Sequence, residues 1–97
     1  GNLPPAAARA RAQASRLRAR CARLLLSLVD QYGASRPDGY FVGLKLSQDE
    51  FADMLGRSRQ SVNKELRAFE AEGVIRTNYS RFVILDLPAL KMIARGG

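Results

Sequence analysis

The stretch Leu46–Gly73, LSQDEFADMLGRSRQSVNKELRAFEAEG, reads as two amphipathic helices joined by a tight turn. Ser47 stands as the N-cap of the first, with Glu50 three residues on, so each side chain can satisfy a backbone N–H near the other. Leu46 before the cap and Phe51 at the fourth helical position have the spacing of a hydrophobic staple. Phe51, Met54 and Leu55 then recur as one apolar stripe, and Gly56 permits a short turn at no steric cost.

Ser58 is placed to cap the second helix, Arg59-Gln60-Ser61-Val62-Asn63-Lys64-Glu65-Leu66-Arg67-Ala68-Phe69. Val62, Leu66 and Phe69 return at helical spacing and should pack on the first helix. Gln60, Asn63, Lys64 and Arg67 are left on or beside the outward face, with Arg59 in the first turn. Gly73 fits a left-handed C′ residue closing the helix. Two short helices around a glycine turn match helix-turn-helix geometry, whose second helix, about residues 59–72 here, would enter a DNA major groove.

The rest of the chain is small. Ninety-seven residues, 46% of them hydrophobic, suffice for one domain with one modest core. The longest apolar run, Leu24–Val29, is far too short to span a bilayer, and no stretch resembles a signal peptide. Cys21 is the single cysteine and there is no histidine, which excludes an internal disulfide, cysteine or histidine zinc sites, and histidine acid–base chemistry. A reducing, cytoplasmic setting without a membrane is the default. The net charge of +7 suggests a polyanionic partner, but it is unevenly placed. Seven arginines (9, 11, 16, 18, 20, 23 and 36) against Asp30 give residues 1–36 a net +6, leaving +1 for residues 37–97. In the helix-turn-helix the charges separate locally. Asp49, Glu50 and Asp53 lie on the first helix, whereas Arg57, Arg59, Lys64 and Arg67 surround the start of the second.

Working outward, residues 1–15 are Ala/Arg-rich after two prolines, with no large apolar residue beyond Leu3. They read as a frayed helix or an unstructured lead-in, a linker to the domain proper at 16–97. From about Leu17 an amphipathic helix places Leu17, Cys21, Leu24, Leu25, Leu28 and Tyr32 on one broad face and stops at Gly33. Residues 34–39 form a loop with a Pro-Asp-Gly turn. Tyr40–Leu46 alternates as a half-buried strand, with Tyr40, Val42, Leu44 and Leu46 on one side. Beyond Gly73, Val74–Arg76 and Arg81–Leu85 bracket a hairpin tip, residues 77–80. Asp86 then caps a last helix, Leu87 to about Ala94, with Pro88 in its first turn. The fold class is α+β and mainly helical: a winged helix-turn-helix with a small antiparallel sheet.

With these residues placed, the chain from about Leu17 to Leu85 resembles the C-terminal DNA-binding domain of the Crp/Fnr transcription regulators. The resemblance is carried by RCARLLLSL, by the PDG turn and following strand, by LSQDEFADMLGRSRQSVNKELRAFEAEGVI, and by RTNYSRFVILD. It implies a bacterial regulator whose sensory domain, cyclic-nucleotide-binding or responsive to another effector, would precede this segment. Residues 1–15 would then be the remnant of a long dimerisation helix. It implies double-stranded DNA as partner, with a palindromic operator and RNA polymerase as a further candidate. The full-length protein would be a homodimer, and this segment a monomer or weak dimer. No cofactor is expected in the segment itself.

In the family the first, second and sixth residues of the recognition helix read base edges; here these are Arg59, Gln60 and Lys64. Arginine can donate two parallel hydrogen bonds to guanine O6 and N7, and lysine reaches the same acceptors as a point charge. Glutamine suits adenine N6 and N7. Gln60 stands where glutamate is frequent and Lys64 where arginine is commoner. Ser58, Ser61 and Arg67 match phosphate-contacting positions, as do Ser47 and Gln48 before the first helix and Asn78, Ser80 and Arg81 of the wing.

Plainer readings stand beside these. Arg67 could pair with Glu70 or Glu65. The arginines before residue 24 read first as a solvated helix face, and Cys21 as a small core residue. Asp49, Glu50 and Asp53 are explained by capping and the helix dipole before any metal. A winged helix that docks a protein partner is the alternative function. An enzyme is poorly supported, since no glycine-rich phosphate loop and no nucleophile–base motif is present.

Overall fold

The computed structural model describes residues 5–96. Gly1–Pro4, part of the expected lead-in, lie outside the described residues. The order is α1 (Ala6–Tyr32), β1 (Gly33–Arg36), β2 (Gly39–Val42), α2 (Gln48–Leu55), α3 (Arg59–Ala71), β3 (Ile75–Asn78), β4 (Arg81–Ile84) and α4 (Leu87–Ala94). The four strands form one antiparallel sheet in the order β1-β2-β4-β3. Phe51, Phe69, Leu25, Leu66, Ile75, Ile84 and Leu90 are all but fully buried and bring α1, α2, α3, the wing and α4 into one core.

The local capping chemistry of the central stretch is as expected. Ser47 accepts from the Glu50 N–H at 3.1 Å and Glu50 accepts from the Ser47 N–H at 3.1 Å, closing the capping box. Gly56, at φ +65°, ends α2, with its own N–H on Asp53 O and the Arg57 N–H on Ala52 O. At the end of α3 the Gly73 and Val74 N–H groups bond Glu70 O and Phe69 O, the double closure of a Schellman motif. Asp86 caps α4 by accepting from the Ala89 N–H at 3.0 Å. The wing turns on two residues, Tyr79 and Ser80, both at positive φ (50° and 61°). That handedness lets a two-residue hairpin follow the strand twist.

Several elements differ from the sequence expectation. Helix α1 is continuous from Ala6, so residues 6–15 take the helical of the two expected forms and run on without a break into the helix expected from about Leu17. Residues 6–16 nevertheless bury no large side chain. The expected loop at 34–39 is a hairpin: Ala34, Ser35 and Arg36 pair with Phe41, Tyr40 and Gly39. A Cβ at Gly39 would come within 2.1 Å of Ile84 O, so the sheet can close there only around glycine. The strand expected to reach Leu46 ends at Val42, where pairing with β4 stops. The wing strands are shifted by about one residue from the expected spans, to 75–78 and 81–84. Tyr32 and Met54 are 47% and 56% exposed, because no element covers the edges of their stripes. The α1 face is otherwise as expected, and Cys21 is wholly buried, its thiol pushed up to about 12 chiefly by that burial.

The arginines of α1 also depart from a purely solvated face. Arg20 donates to Leu55 O at the end of α2 (2.7 Å), and Arg23 to Ala94 O at the end of α4 (2.7 Å). Arg18 pairs with Glu72 at the end of α3 (2.8 Å), its guanidinium carbon 4.9 Å from the centre of the Phe69 ring. Each cation therefore meets the negative end of a different helix, where unpaired carbonyls and the helix dipole favour positive charge. Part of the upstream charge is structural.

Glu65, on the inner face of α3, is the buried charged residue among those described, 8% exposed. Burial raises its carboxyl above the usual range, with Arg18 and Lys64 opposing the shift and Glu72 adding to it. A carboxyl that is harder to ionise in the folded state costs stability once the pH passes the ordinary glutamate value of 4.5. Stability from this group is thus full below that value and is lost as pH rises through the folded-state value. Glu65→Gln is expected to raise the melting temperature at neutral pH, with an advantage that vanishes toward pH 4 (roughly the unperturbed glutamate value). Thermal melts across pH check this; a variant less stable than the parent at neutral pH would refute it.

Candidate nucleic-acid interface

Helix α3 presents two unlike faces because its apolar residues recur at helical spacing. Val62, Leu66 and Phe69 go into the core. Ser58 caps the helix by accepting from the Ser61 N–H at 3.2 Å, and its hydroxyl donates to Ser61 Oγ at 2.9 Å. The opposite face carries Arg59, Gln60, Asn63, Lys64 and Arg67, which line one shallow concavity of about 400 Å³. These positions fall on a single stripe of an α-helix. Among the described residues, the side chains of Gln60, Lys64 and Arg67 make no hydrogen bond or ion pair with one another or with any other residue, so the expected Arg67–Glu70 and Arg67–Glu65 pairs are not formed.

A second concavity, of about 330 Å³, lies between the start of α2 and the wing. Ser47, Gln48, Asp49, Arg59, Tyr79, Ser80 and Arg81 are among its lining residues. Two contacts fix its walls: the Leu46 N–H donates to Ser80 O at 2.8 Å, and Arg81 Nε donates to Gly43 O at 3.2 Å. Phe51 braces it from beneath, its ring centroid 5.4 Å from that of Phe82 on β4. Arg81 keeps its terminal guanidinium nitrogens for another acceptor. Gln48 is held by Asn63, whose amide donates to Gln48 Oε1, which ties α2 to α3 and leaves the Gln48 amide protons to donate elsewhere.

Of the residues expected from sequence, Arg59, Gln60, Lys64 and Arg67 thus share the helix face, and Ser47, Gln48, Ser80 and Arg81 meet around the cleft. Arg59 borders both. Ser58 and Ser61 sit apart in the capping turn, and Asn78 lies on β3, paired with Arg81 in the ladder and outside the cleft. Asn63, placed on the outward face from sequence, lines the stripe with Arg59, Gln60, Lys64 and Arg67. The structure adds Asp49 and Tyr79. Tyr79, 87% exposed at the hairpin tip, carries no sequence signal beyond being aromatic. Asp49, in the first turn of α2, reaches to within 3.7 Å of Arg59 at the start of α3, with both side chains largely exposed. Among the described residues no group of three or more acidic or cysteine side chains could hold a metal ion, and no helix is long and apolar enough to cross a membrane.

Two helices around a left-handed glycine, an outward polar stripe on the second and a hairpin wing beside it define the class: a winged helix-turn-helix domain. The chain belongs to the Crp-like helix-turn-helix family, whose model matches residues 19–93. Over 79 residues it is 42% identical to the transcriptional regulator LdrP of Thermus thermophilus, covering 81% of this chain and 40% of LdrP. A CRP-family transcriptional regulator of known structure from the same organism aligns with a TM-score of 0.72 at 40% identity, over 86% of this chain and 46% of that one. The CO-dependent transcription factor CooA of Carboxydothermus hydrogenoformans aligns with a TM-score of 0.75 at 33% identity, over 79% of this chain and 36% of CooA. The chain therefore spans less than half the length of these relatives.

Proposed function

We propose that this domain binds double-stranded DNA sequence-specifically in bacterial transcription control, with α3 in the major groove and the cleft beside the wing on the sugar–phosphate backbone. The observation that carries the reading is the stripe of Arg59, Gln60, Asn63, Lys64 and Arg67, four of them exposed, beside a cleft lined by Ser47, Gln48, Ser80 and Arg81. Arg59 reads a guanine, Gln60 an adenine or a mixed edge, and Lys64 a further acceptor. Arg67, with Ser47, Gln48, Ser80 and Arg81 of the cleft, holds phosphates, which sets register without reading sequence. Ser58 and Ser61 contribute through the backbone N–H groups of the α3 terminus. In the whole protein, an effector-responsive domain on the N-terminal side controls two such domains in a homodimer that engages a palindromic operator and RNA polymerase. CooA's description as CO-dependent supports effector control in a relative.

Sites selected from random DNA provide the ligand for the test. Arg59→Ala is expected to cost ~1–3 kcal/mol on the selected site and to relax preference at one base position, whereas Arg67→Ala weakens all sequences alike and lowers the salt slope by about 1. Titrations at several salt concentrations, on selected and scrambled duplexes, separate the two. Equal losses on both duplexes for Arg59→Ala would defeat its base-reading role. Absence of DNA binding even at low salt would favour the protein-docking alternative.

A further inference from the structure

Asp49 is the one acidic side chain lining either concavity of the interface among the described residues. It sits in the first turn of α2, where the helix dipole favours an anion, and its carboxylate faces the Arg59 guanidinium at 3.7 Å. Arg59 is also the residue shared by the backbone cleft and the base-reading stripe. Its guanidinium therefore has two possible uses on DNA: a phosphate seated in the cleft, or a base edge further along the groove. Only the second carries sequence information.

We infer that Asp49 is a positioning residue that sets specificity by denying Arg59 the phosphate use. A phosphate drawn to Arg59 in the cleft must approach the Asp49 carboxylate as well, and like charges at that range repel. The exposed Asp49–Arg59 pair is itself weak, so it does not stop Arg59 from exchanging the carboxylate for a guanine edge. A bidentate guanine contact outweighs such a pair, whereas a lone phosphate contact opposed by Asp49 does not. Asp49 thus penalises the grip that every sequence offers and spares the one that the correct sequence offers. Discrimination comes here from a repulsive element as much as from an attractive one.

This inference rests on the DNA-binding reading above, and the test separates the two. The probes are a selected duplex and a scrambled duplex, titrated at several salt concentrations with the parent, Asp49→Asn, Asp49→Glu, Arg59→Ala and the Asp49→Asn/Arg59→Ala double variant. Asp49→Asn is expected to tighten scrambled DNA about 3–10-fold, the size of one released like-charge contact near a surface. The selected site should tighten less, so the specificity ratio falls. The slope of log K against log salt on scrambled DNA should steepen by about 1, one further phosphate being engaged. Asp49→Glu should restore the ratio. In the Arg59→Ala background Asp49→Asn should leave the ratio unchanged. Weaker binding of both duplexes by Asp49→Asn, with an unaltered slope, would reduce Asp49 to a helix-stabilising residue and overturn the inference. If Arg59→Ala relaxes specificity while Asp49→Asn moves neither ratio nor slope, the Asp49 inference fails alone. If Arg59→Ala leaves specificity intact, the base-reading assignment fails first. Melting curves of each variant confirm that folded protein is being compared.

Discussion

Phe51→Ala is expected to cost about 3–5 kcal/mol of folding stability, the usual range for emptying a buried phenylalanine site. Against the ~5–15 kcal/mol that holds a typical domain together, this is a large fraction of the total. The residue has no exposed surface, and its ring lies 5.4 Å from that of Phe82 at a tilt of 51°. It follows Leu46 at staple spacing, so it also fixes the angle at which the chain enters α2. Truncation would remove the ring pair, open a cavity between α2 and the wing, and loosen the segment whose Leu46 N–H holds Ser80 O. Urea denaturation should therefore show a much lower midpoint with little change in slope. Phe51→Leu, which refills much of the space, should lose less. A loss under about 1 kcal/mol for Phe51→Ala would mean that the wing is not braced by this ring.

What could be read in the sequence divides by how local its cause is. The Ser47–Glu50 capping box, the Ser58 cap, the Gly56 and Gly73 helix ends and the Asp86 cap depend on residues at most five apart, and each formed as expected. The core face of α3 was equally legible, because its apolar residues recur at a single period. Strand β1 was not. Gly33, Ala34, Ser35 and Arg36 are all exposed and do not alternate, so only pairing with β2 makes them a strand. Met54 and Tyr32 continue apolar stripes in sequence, but burial depends on what covers a stripe, and nothing covers their ends. The clamps by Arg18, Arg20 and Arg23 join residues 54, 35 and 71 positions apart, beyond the reach of any pattern rule. In the candidate site, the residue types and face of α3 were readable. The cleft beside the wing was not, because it is assembled from three separate segments and bonded across them.

Joining two copies of the domain through a linker just long enough to span adjacent half-sites on one face of the duplex is expected to raise affinity for a palindromic site by ~10²–10⁴ over one copy on one half-site, through effective concentration alone. One recognition stripe of five residues and one backbone cleft offer few contacts. Helix α1 supplies no seam for a second copy along residues 6–16, where only alanines stand among arginines, glutamine and serine. A coiled-coil interface needs large apolar residues every three or four positions, and alanine buries too little to replace them. The single domain should therefore sediment as a monomer or weak dimer and bind a half-site weakly, with steep salt dependence. Half-sites placed one helical turn apart, about 34–36 Å, bring both α3 helices onto the same face of the duplex and allow the full gain. Inserting about half a helical turn, roughly 5 base pairs, turns the second half-site to the opposite face and should abolish most of it. A gain indifferent to that insertion would show that the linked pair is held by charge rather than by two seated recognition helices, and a tight dimer of the unlinked domain in sedimentation would show that another surface closes the assembly.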